Sequence, residues 1–175
     1  MSLAQIRRRC ASQIDSLQLP DQVSVAAICE QVAAFRGRPI RILTHTLLPP
    51  DKPCGLRIAT PQADYLVVQD GAVPAHRDLI LLHEVGHVLL DPDDTGSPLD
   101  EDLLKALLPH VDQATVTCML TRGQYTLETE QAAETFATLL WGRTSGWAPG
   151  MPRAAAPGAN DAVDRIERAL ERGRC

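Results

Sequence analysis

Apolar residues recur along this chain with two different spacings, and the change between them separates helices from strands. Residues 3–18 and then Val23 to Arg36 carry apolar side chains three and four positions apart, the spacing of a helix with one buried face. Asp21 or Ser24 can cap the second helix, and Gly37 stands where a helix commonly stops. The chain is therefore predicted to begin with two amphipathic helices.

After the second helix the apolar residues follow one another at shorter intervals, and turn residues frequently interrupt the chain. Three segments are typical of strands: residues 40–48, Leu56 to Thr60, and Tyr65 to Val68. The second segment alternates, with Arg57 on the face opposite to its apolar neighbours. Because connections this short most simply join antiparallel strands, the pattern predicts a small antiparallel three-stranded sheet.

The rest of the chain is predominantly helical in its pattern. Pro74 suits a first helical position because its nitrogen has no hydrogen to donate, and the helix it begins runs to about Leu90. A shorter helix is predicted over Leu99 to Leu108, and Thr126 caps a long one that contains Glu128 to Trp141. The expected fold class is α+β, with the small sheet packed against a mostly helical domain.

The end of the chain differs in composition from the remainder. Residues 146–159 are rich in proline, glycine and alanine, which is typical of a linker, and residues 160–175 contain a short amphipathic helix. Residues 1–145 are therefore predicted to form one domain, followed by the linker and the terminal helix. A length of 175 residues suits this division.

Charge and cysteine content argue against several classes of protein. The net charge is −5, and the one basic cluster, Arg7-Arg8-Arg9, fits a solvated helix face, so no direct contact with nucleic acid is expected. Five cysteines without a C-x-x-C pair argue against a disulfide framework and against a cysteine-rich zinc site. Since neither an apolar leader nor a membrane-spanning run is present, a cytoplasmic protein without a membrane partner is expected.

One motif carries recognisable chemistry: His83-Glu84-Val85-Gly86-His87. Two histidines four residues apart lie on one face of a helix, where both imidazoles can bind a single Zn²⁺. Glu84 is displaced by about 100° from His83 around the helix, so it suits a water on the metal better than the metal itself. The motif therefore predicts that Glu84 is a catalytic base, which takes a proton from that water and passes it to the leaving amine.

A catalytic zinc site usually has three protein ligands, so a third must come from elsewhere. Asp91 lies too far along the same helix to converge with the first histidine, and Asp93 lacks the preceding glycine that would bend the chain back. Better candidates are Glu130 and Glu134, one turn apart beside the apolar stripe of a later helix. One can ligate the metal while the other orients a ligating histidine, or both are solvated glutamates near a helix start.

The motif H-E-x-G-H, followed by E-x-x-A-x-x-F-A-x-x-L over Glu130 to Leu140, resembles the ImmA/IrrE family of bacterial zinc metallopeptidases. The resemblance extends over residues 23–140 and implies a zincin-like domain. It also implies Glu84 as catalytic base and leaves Glu134 as a candidate that orients a ligand. The residues that it implies as ligands of Zn²⁺ are His83, His87 and Glu130.

Members of that family typically act on a helix-turn-helix repressor, which they cleave or cause to be removed. The resemblance therefore implies a zinc-dependent endopeptidase whose substrate is a specific regulatory protein of this kind. Two alternatives stay open: a binding module that sequesters such a regulator or a toxin-like partner, and a non-peptidase hydrolase with the same metal chemistry. The residue that stabilises the oxyanion is equally open among three candidates: Tyr125, His110 and Tyr65.

Overall fold

The computed structural model describes residues 1–46, 55–91, 101–110 and 125–144, and over these ranges the chain forms five helices and one three-stranded sheet. The helices are α1 (Leu3–Ser16), α2 (Val25–Arg36), α3 (Pro74–Leu90), α4 (Glu101–Leu107) and α5 (Leu127–Trp141). The strands are β1 (Ile40–His45), β2 (Gly55–Ala59) and β3 (Asp64–Gln69). The predicted linker at 146–159 and the predicted terminal helix at 160–175 lie outside the described residues.

Local capping chemistry explains where most of the helices begin and end. The Ser24 hydroxyl accepts the backbone N–H of Ala27 at the start of α2, and Gly37 ends that helix with a left-handed φ of 64°. Pro74 occupies the first turn of α3, and the Thr126 hydroxyl accepts the backbone N–H of Thr129 at the start of α5. Gly37, Pro74 and Thr126 stand where the sequence predicts them, whereas α2 begins at Val25 and not at Val23, with Ser24 as the one of the two candidate caps that is used.

The sheet is mixed, so the prediction of an all-antiparallel sheet is wrong for β1. Strands β2 and β3 form an antiparallel hairpin, but β1 pairs in parallel with β3, and the strand order is β1-β3-β2. Successive strands do reverse direction, as short connections favour. However, β3 lies between the other two, so β1 meets the strand that runs in its own direction. Leu66, Val67 and Val68 are fully buried in this central strand.

Helix α3 lies at the centre of the molecule and contacts α1, α2, α5 and the β2–β3 hairpin. The main core joins its apolar residues to those of α1, α2, β3 and α5, with Phe136 and Leu140 of α5 fully buried. The apolar face of α1 (Ile6, Cys10 and Ile14) completes this core. A second, smaller cluster packs α4 on the other face of the hairpin. Within the described ranges, no helix has the length and apolar character needed to cross a bilayer.

Candidate metal centre

The helix that carries the motif is held against α5 by an unusually close backbone approach. A Cβ placed on Gly86 would lie 2.9 Å from the Cα of Ala133 and 3.2 Å from its carbonyl oxygen. Only glycine fits at that distance, and the small side chain of Ala133 faces it from α5. This contact fixes how far Glu130, one turn before Ala133, stands from the two histidines of α3.

Three side chains from these two helices converge on one point. The Nε2 atoms of His83 and His87 are 3.1 Å apart. The carboxylate of Glu130 lies across from both, with an oxygen 3.3 Å from Nε2 of His83 and an oxygen 3.5 Å from Nε2 of His87. These residues are the one group of three or more histidine, cysteine or acidic side chains in the described ranges that is arranged to hold a metal ion.

The spacing of these donor atoms fits a tetrahedral zinc site. Ligands about 2.0–2.1 Å from a tetrahedral Zn²⁺ are separated by about 3.3 Å. The two Nε2 atoms are 3.1 Å apart, and the Glu130 carboxylate approaches each of them at a similar distance through a different oxygen. Two imidazole nitrogens and one carboxylate are a common donor set of catalytic zinc, which leaves a fourth position open. A cavity of about 170 Å³ adjoins the three residues and supplies that opening. A hydrogen bond between the two histidines alone would not account for the position of Glu130.

His87 is held in the neutral form that binds metal. Its ring is 1% exposed, and desolvation together with the neighbouring His83 and Arg57 lowers the pKa of His87 to about 3. Tyr125 stacks on the imidazole with ring centroids 3.7 Å apart and an angle of 15° between the planes. Since Nε2 of His87 faces His83 and Glu130, this stacking restricts the ring without obstructing the donor atom.

Glu84 is not among the three grouped residues, but it is buried beside them and lines the same two cavities. The side chain is 4% exposed, and its Oε2 has no hydrogen-bond partner in the described part of the chain. Burial, and secondarily the charge of Glu130, raises the pKa of Glu84 to about 8 in the metal-free protein, against a smaller opposing effect of Arg57. A carboxylate in this state is suited to receive and release a proton near neutral pH.

Gly55 makes room for this carboxylate. A Cβ at Gly55 would lie 2.8 Å from Oε1 of Glu84 and 2.3 Å from Cγ2 of Ile80. The first residue of β2 is therefore restricted to glycine by the packing of Glu84 and Ile80. No feature of the sequence pattern around Gly55 indicates this role.

The C-terminal end of α3 is bound by arginines from three other elements. Arg57 of β2 is fully buried, and its Nη1 donates to the backbone carbonyls of His87 at 3.2 Å and Asp91 at 2.9 Å. Its Nε and Nη2 both donate to Oδ1 of the buried Asp64 on β3. Two further contacts are from Arg9 to the carbonyl of Leu90 and from Arg36 to the carbonyl of Val88. Cations at this end of a helix satisfy free carbonyls and oppose the negative end of its dipole.

A groove of about 540 Å³ runs from the metal ligands along the junction of α3 and α5. Glu134 lies on its wall and is exposed, and no hydrogen bond or ion pair joins it to His83 or His87 in the described residues. The predicted role of Glu134 in orienting a ligand therefore has no contact that supports it. Glu130, the other candidate of the pair, is the one that groups with His83 and His87 in an arrangement that could hold a metal ion.

The three residues considered for stabilising the oxyanion lie at different places in the structure. Tyr125 lies at the metal position, where it lines the small cavity with Glu84 and the ligands. Tyr65 instead packs with the apolar cluster of β2, β3 and α4, and His110 is exposed just after α4. Asp91 uses its backbone carbonyl on Arg57, and Asp93 lies outside the described residues.

Comparison with known proteins adds no relative to this picture. No protein-family model matches the chain, and no similar protein was found among the curated proteins or the solved structures. The resemblance to ImmA/IrrE peptidases therefore rests on the two motifs, and the site stands on its own geometry.

Gly86→Ala should separate the two helices and weaken metal binding. The added methyl group would press on the backbone of Ala133, and overpacking of this kind costs about 1–3 kcal/mol, more than the gain in helix propensity. Gly142→Ala is the matched control, because its Cβ would meet nothing closer than 3.8 Å and its φ of −63° is helical. Denaturant unfolding and zinc competition with a chelating dye should show losses for Gly86→Ala alone. Equal effects of both substitutions would contradict the packing argument.

Proposed function

We propose that this chain is a zinc-dependent endopeptidase with a zincin-like active site, and that its substrate is a specific helix-turn-helix regulatory protein in the cytoplasm. The observation that carries the proposal is the convergence of His83, His87 and Glu130 beside the buried carboxylate of Glu84: the two Nε2 atoms are 3.1 Å apart, and each has an oxygen of Glu130 within 3.5 Å. The class of substrate is taken from the resemblance to the ImmA/IrrE family.

Each residue then has a distinct task. When bound at the three ligands, Zn²⁺ supplies Lewis acidity, which polarises a carbonyl oxygen and lowers the pKa of water. Glu84 accepts the proton of the water that attacks the scissile carbonyl carbon, and it delivers that proton to the amine as the peptide C–N bond breaks. Tyr125 keeps the ring of His87 in place by stacking.

Two observations favour a peptidase over the alternatives. A buried carboxylate with an unpartnered oxygen costs stability, and a purely structural zinc site has no use for it. The adjoining groove has exposed residues along its length, among them Leu79, Glu134 and Thr138. An open groove suits an extended polypeptide better than it suits a small molecule, which usually binds in an enclosed pocket. This argues against a non-peptidase hydrolase.

Metal analysis with a matched pair of histidine variants tests the proposal. The purified protein should contain about one zinc ion per chain, and His83→Ala should lose it, because two remaining ligands bind zinc weakly. His76→Ala is the control, since His76 is exposed on the same helix and lies outside the site. Incubation with a helix-turn-helix regulator encoded beside this chain should give defined fragments, which 1,10-phenanthroline abolishes and added zinc restores.

The outcomes separate the functions that the sequence leaves open. A stable complex in which the zinc-loaded protein leaves the regulator intact would support the binding module and reject the peptidase. Equal zinc content in the parent, His83→Ala and His76→Ala would reject the metal site itself.

A further inference from the structure

The groove beside the metal ligands combines apolar walls with an excess of negative charge. Leu79 and Ile80 of α3 and Ala137 of α5 contribute apolar surface. Three carboxylates also line the groove, those of Glu84, Glu130 and Glu134, whereas neither lysine nor arginine lines it in the described part of the chain. Apart from the histidine His83, the ionisable side chains that line the groove in the described part of the chain are therefore all acidic.

Two of these carboxylates have no bonding partner in the described residues. Glu130 faces the two histidines, but Oε2 of Glu84 is buried and unpartnered where it lines the groove. Glu134 stands on the same wall, and it makes no hydrogen bond or ion pair within the part of the chain that the structure describes. Since Glu84 is assigned to proton transfer, Glu134 is the one of the three groove carboxylates that is available to bind a cationic group of a ligand.

The position of Glu134 fits a long basic side chain. It lies one helical turn, about 6 Å, beyond Glu130 along α5. A lysine or arginine side chain can lay its methylene groups on Leu79 and Ala137 while its charged end reaches a carboxylate. An extended peptide advances about 3.3 Å per residue, so such a side chain would belong to a residue within about two positions of the scissile bond.

We propose that Glu134 selects substrates that carry a cationic group next to the scissile bond, namely the ammonium or guanidinium of a lysine or arginine side chain. The inference rests on the proposed peptidase function, whose site it extends to substrate recognition. A free N-terminal amine offers the same charge. However, it has no methylene stem to cover the apolar walls.

Binding of defined peptide pools tests this recognition without cleavage. The protein is zinc-loaded Glu84→Gln, and the probes are two acetylated, fluorescein-labelled pools of equal random composition. One central position is fixed as lysine in the first pool and as norleucine, its uncharged isostere, in the second. By fluorescence anisotropy the lysine pool should bind roughly two- to fivefold more tightly, as for an exposed ion pair. Adding Glu134→Gln should remove the difference.

A control variant and a third pool make the assignment specific. Glu30→Gln removes the same charge from an exposed position on α2, and the preference for lysine should persist in it. A norleucine pool with a free N-terminus should bind like its acetylated counterpart. If the free N-terminus instead tightens binding and Glu134→Gln removes that effect, Glu134 binds the N-terminal amine of the peptide. The assignment to a lysine or arginine side chain is then wrong. Equal binding of the lysine and norleucine pools, or a preference that survives Glu134→Gln, overturns the inference.

Cleavage of the same pools distinguishes this inference from the function on which it rests. The zinc-loaded parent protein is incubated with both acetylated pools, and fragments are identified by mass spectrometry. Lysine should be enriched within two residues of the cut bonds, and Glu134→Gln should abolish that enrichment. A Glu134-dependent binding preference without any cleavage would retain the recognition and reject the peptidase. Cleavage without such a preference would retain the peptidase and reject the recognition.

Discussion

Glu84→Gln should retain zinc and lose proteolysis by roughly 10²–10⁴-fold, the usual contribution of a positioned general base. Glutamine has nearly the shape of glutamate, and Glu84 is not among the three ligands, so the metal site should stay intact. Fragment yield from the regulator under single-turnover conditions measures the rate, and zinc content measured on the same sample verifies that the site is loaded.

Two comparisons make the loss specific to proton transfer. Glu30→Gln carries the same chemical change at an exposed site on α2 and should cleave at the parent rate. His83→Ala should lose both zinc and cleavage, whereas Glu84→Gln should lose cleavage alone. Unchanged cleavage by zinc-loaded Glu84→Gln would reject Glu84 as the base.

The same substitution should change the pH dependence of stability in the metal-free protein. Burial on folding raises the pKa of Glu84 from its ordinary value of 4.5 to about 8. The folded state therefore resists ionisation, and this side chain increasingly lowers the free energy of unfolding as pH rises from 4.5 to 8. Glutamine does not ionise, so Glu84→Gln should melt above the parent protein at pH 8 in chelator. Below pH 4.5 the two should melt nearly together.

The sequence predicts the elements of the fold better than it predicts their arrangement. Caps at Ser24, Gly37, Pro74 and Thr126 are short-range features, so the helix boundaries follow from neighbouring residues. The strand order depends instead on contacts between distant segments. The continuous apolar run in β3, buried across Leu66 to Val68, is a signal for a central strand, because a strand covered on both faces needs no alternation.

The sequence likewise predicts some residues of the candidate site and not others. His83, Glu84 and His87 are identified by helical spacing alone, and Glu130 comes from a second motif that the structure brings to the same point. Arg57 is different. It alternates with apolar neighbours, so the pattern assigns it to a polar face. However, all five residues of β2 are buried. Its partners include Asp64 and the carbonyls of His87 and Asp91 at the end of α3, and no local pattern specifies carbonyls that become neighbours only on folding.

Arg57→Met should destabilise the fold by about 3–5 kcal/mol, because removal of one member of a buried ion pair leaves the other buried and uncompensated. Asp64 is fully buried, and its Oδ1 accepts two hydrogen bonds from Arg57. The carbonyls of His87 and Asp91 would lose a donor as well. Zinc affinity should fall with stability, since Arg57 ties the end of the metal-binding helix to the sheet. Denaturant unfolding in chelator and zinc competition measure the two effects.

A second arginine and a double variant isolate the cause of this loss. Arg38 also approaches Asp64, at 3.5 Å, but it is 24% exposed, so Arg38→Met should cost less than about 1 kcal/mol. Combining Arg57→Met with Asp64→Asn removes the uncompensated charge, and the double variant should recover part of the lost stability while zinc affinity stays low. Recovery of both would mean that Arg57 serves only to neutralise Asp64. Partial recovery of stability alone would show that its contact with the carbonyl of His87 positions the ligand.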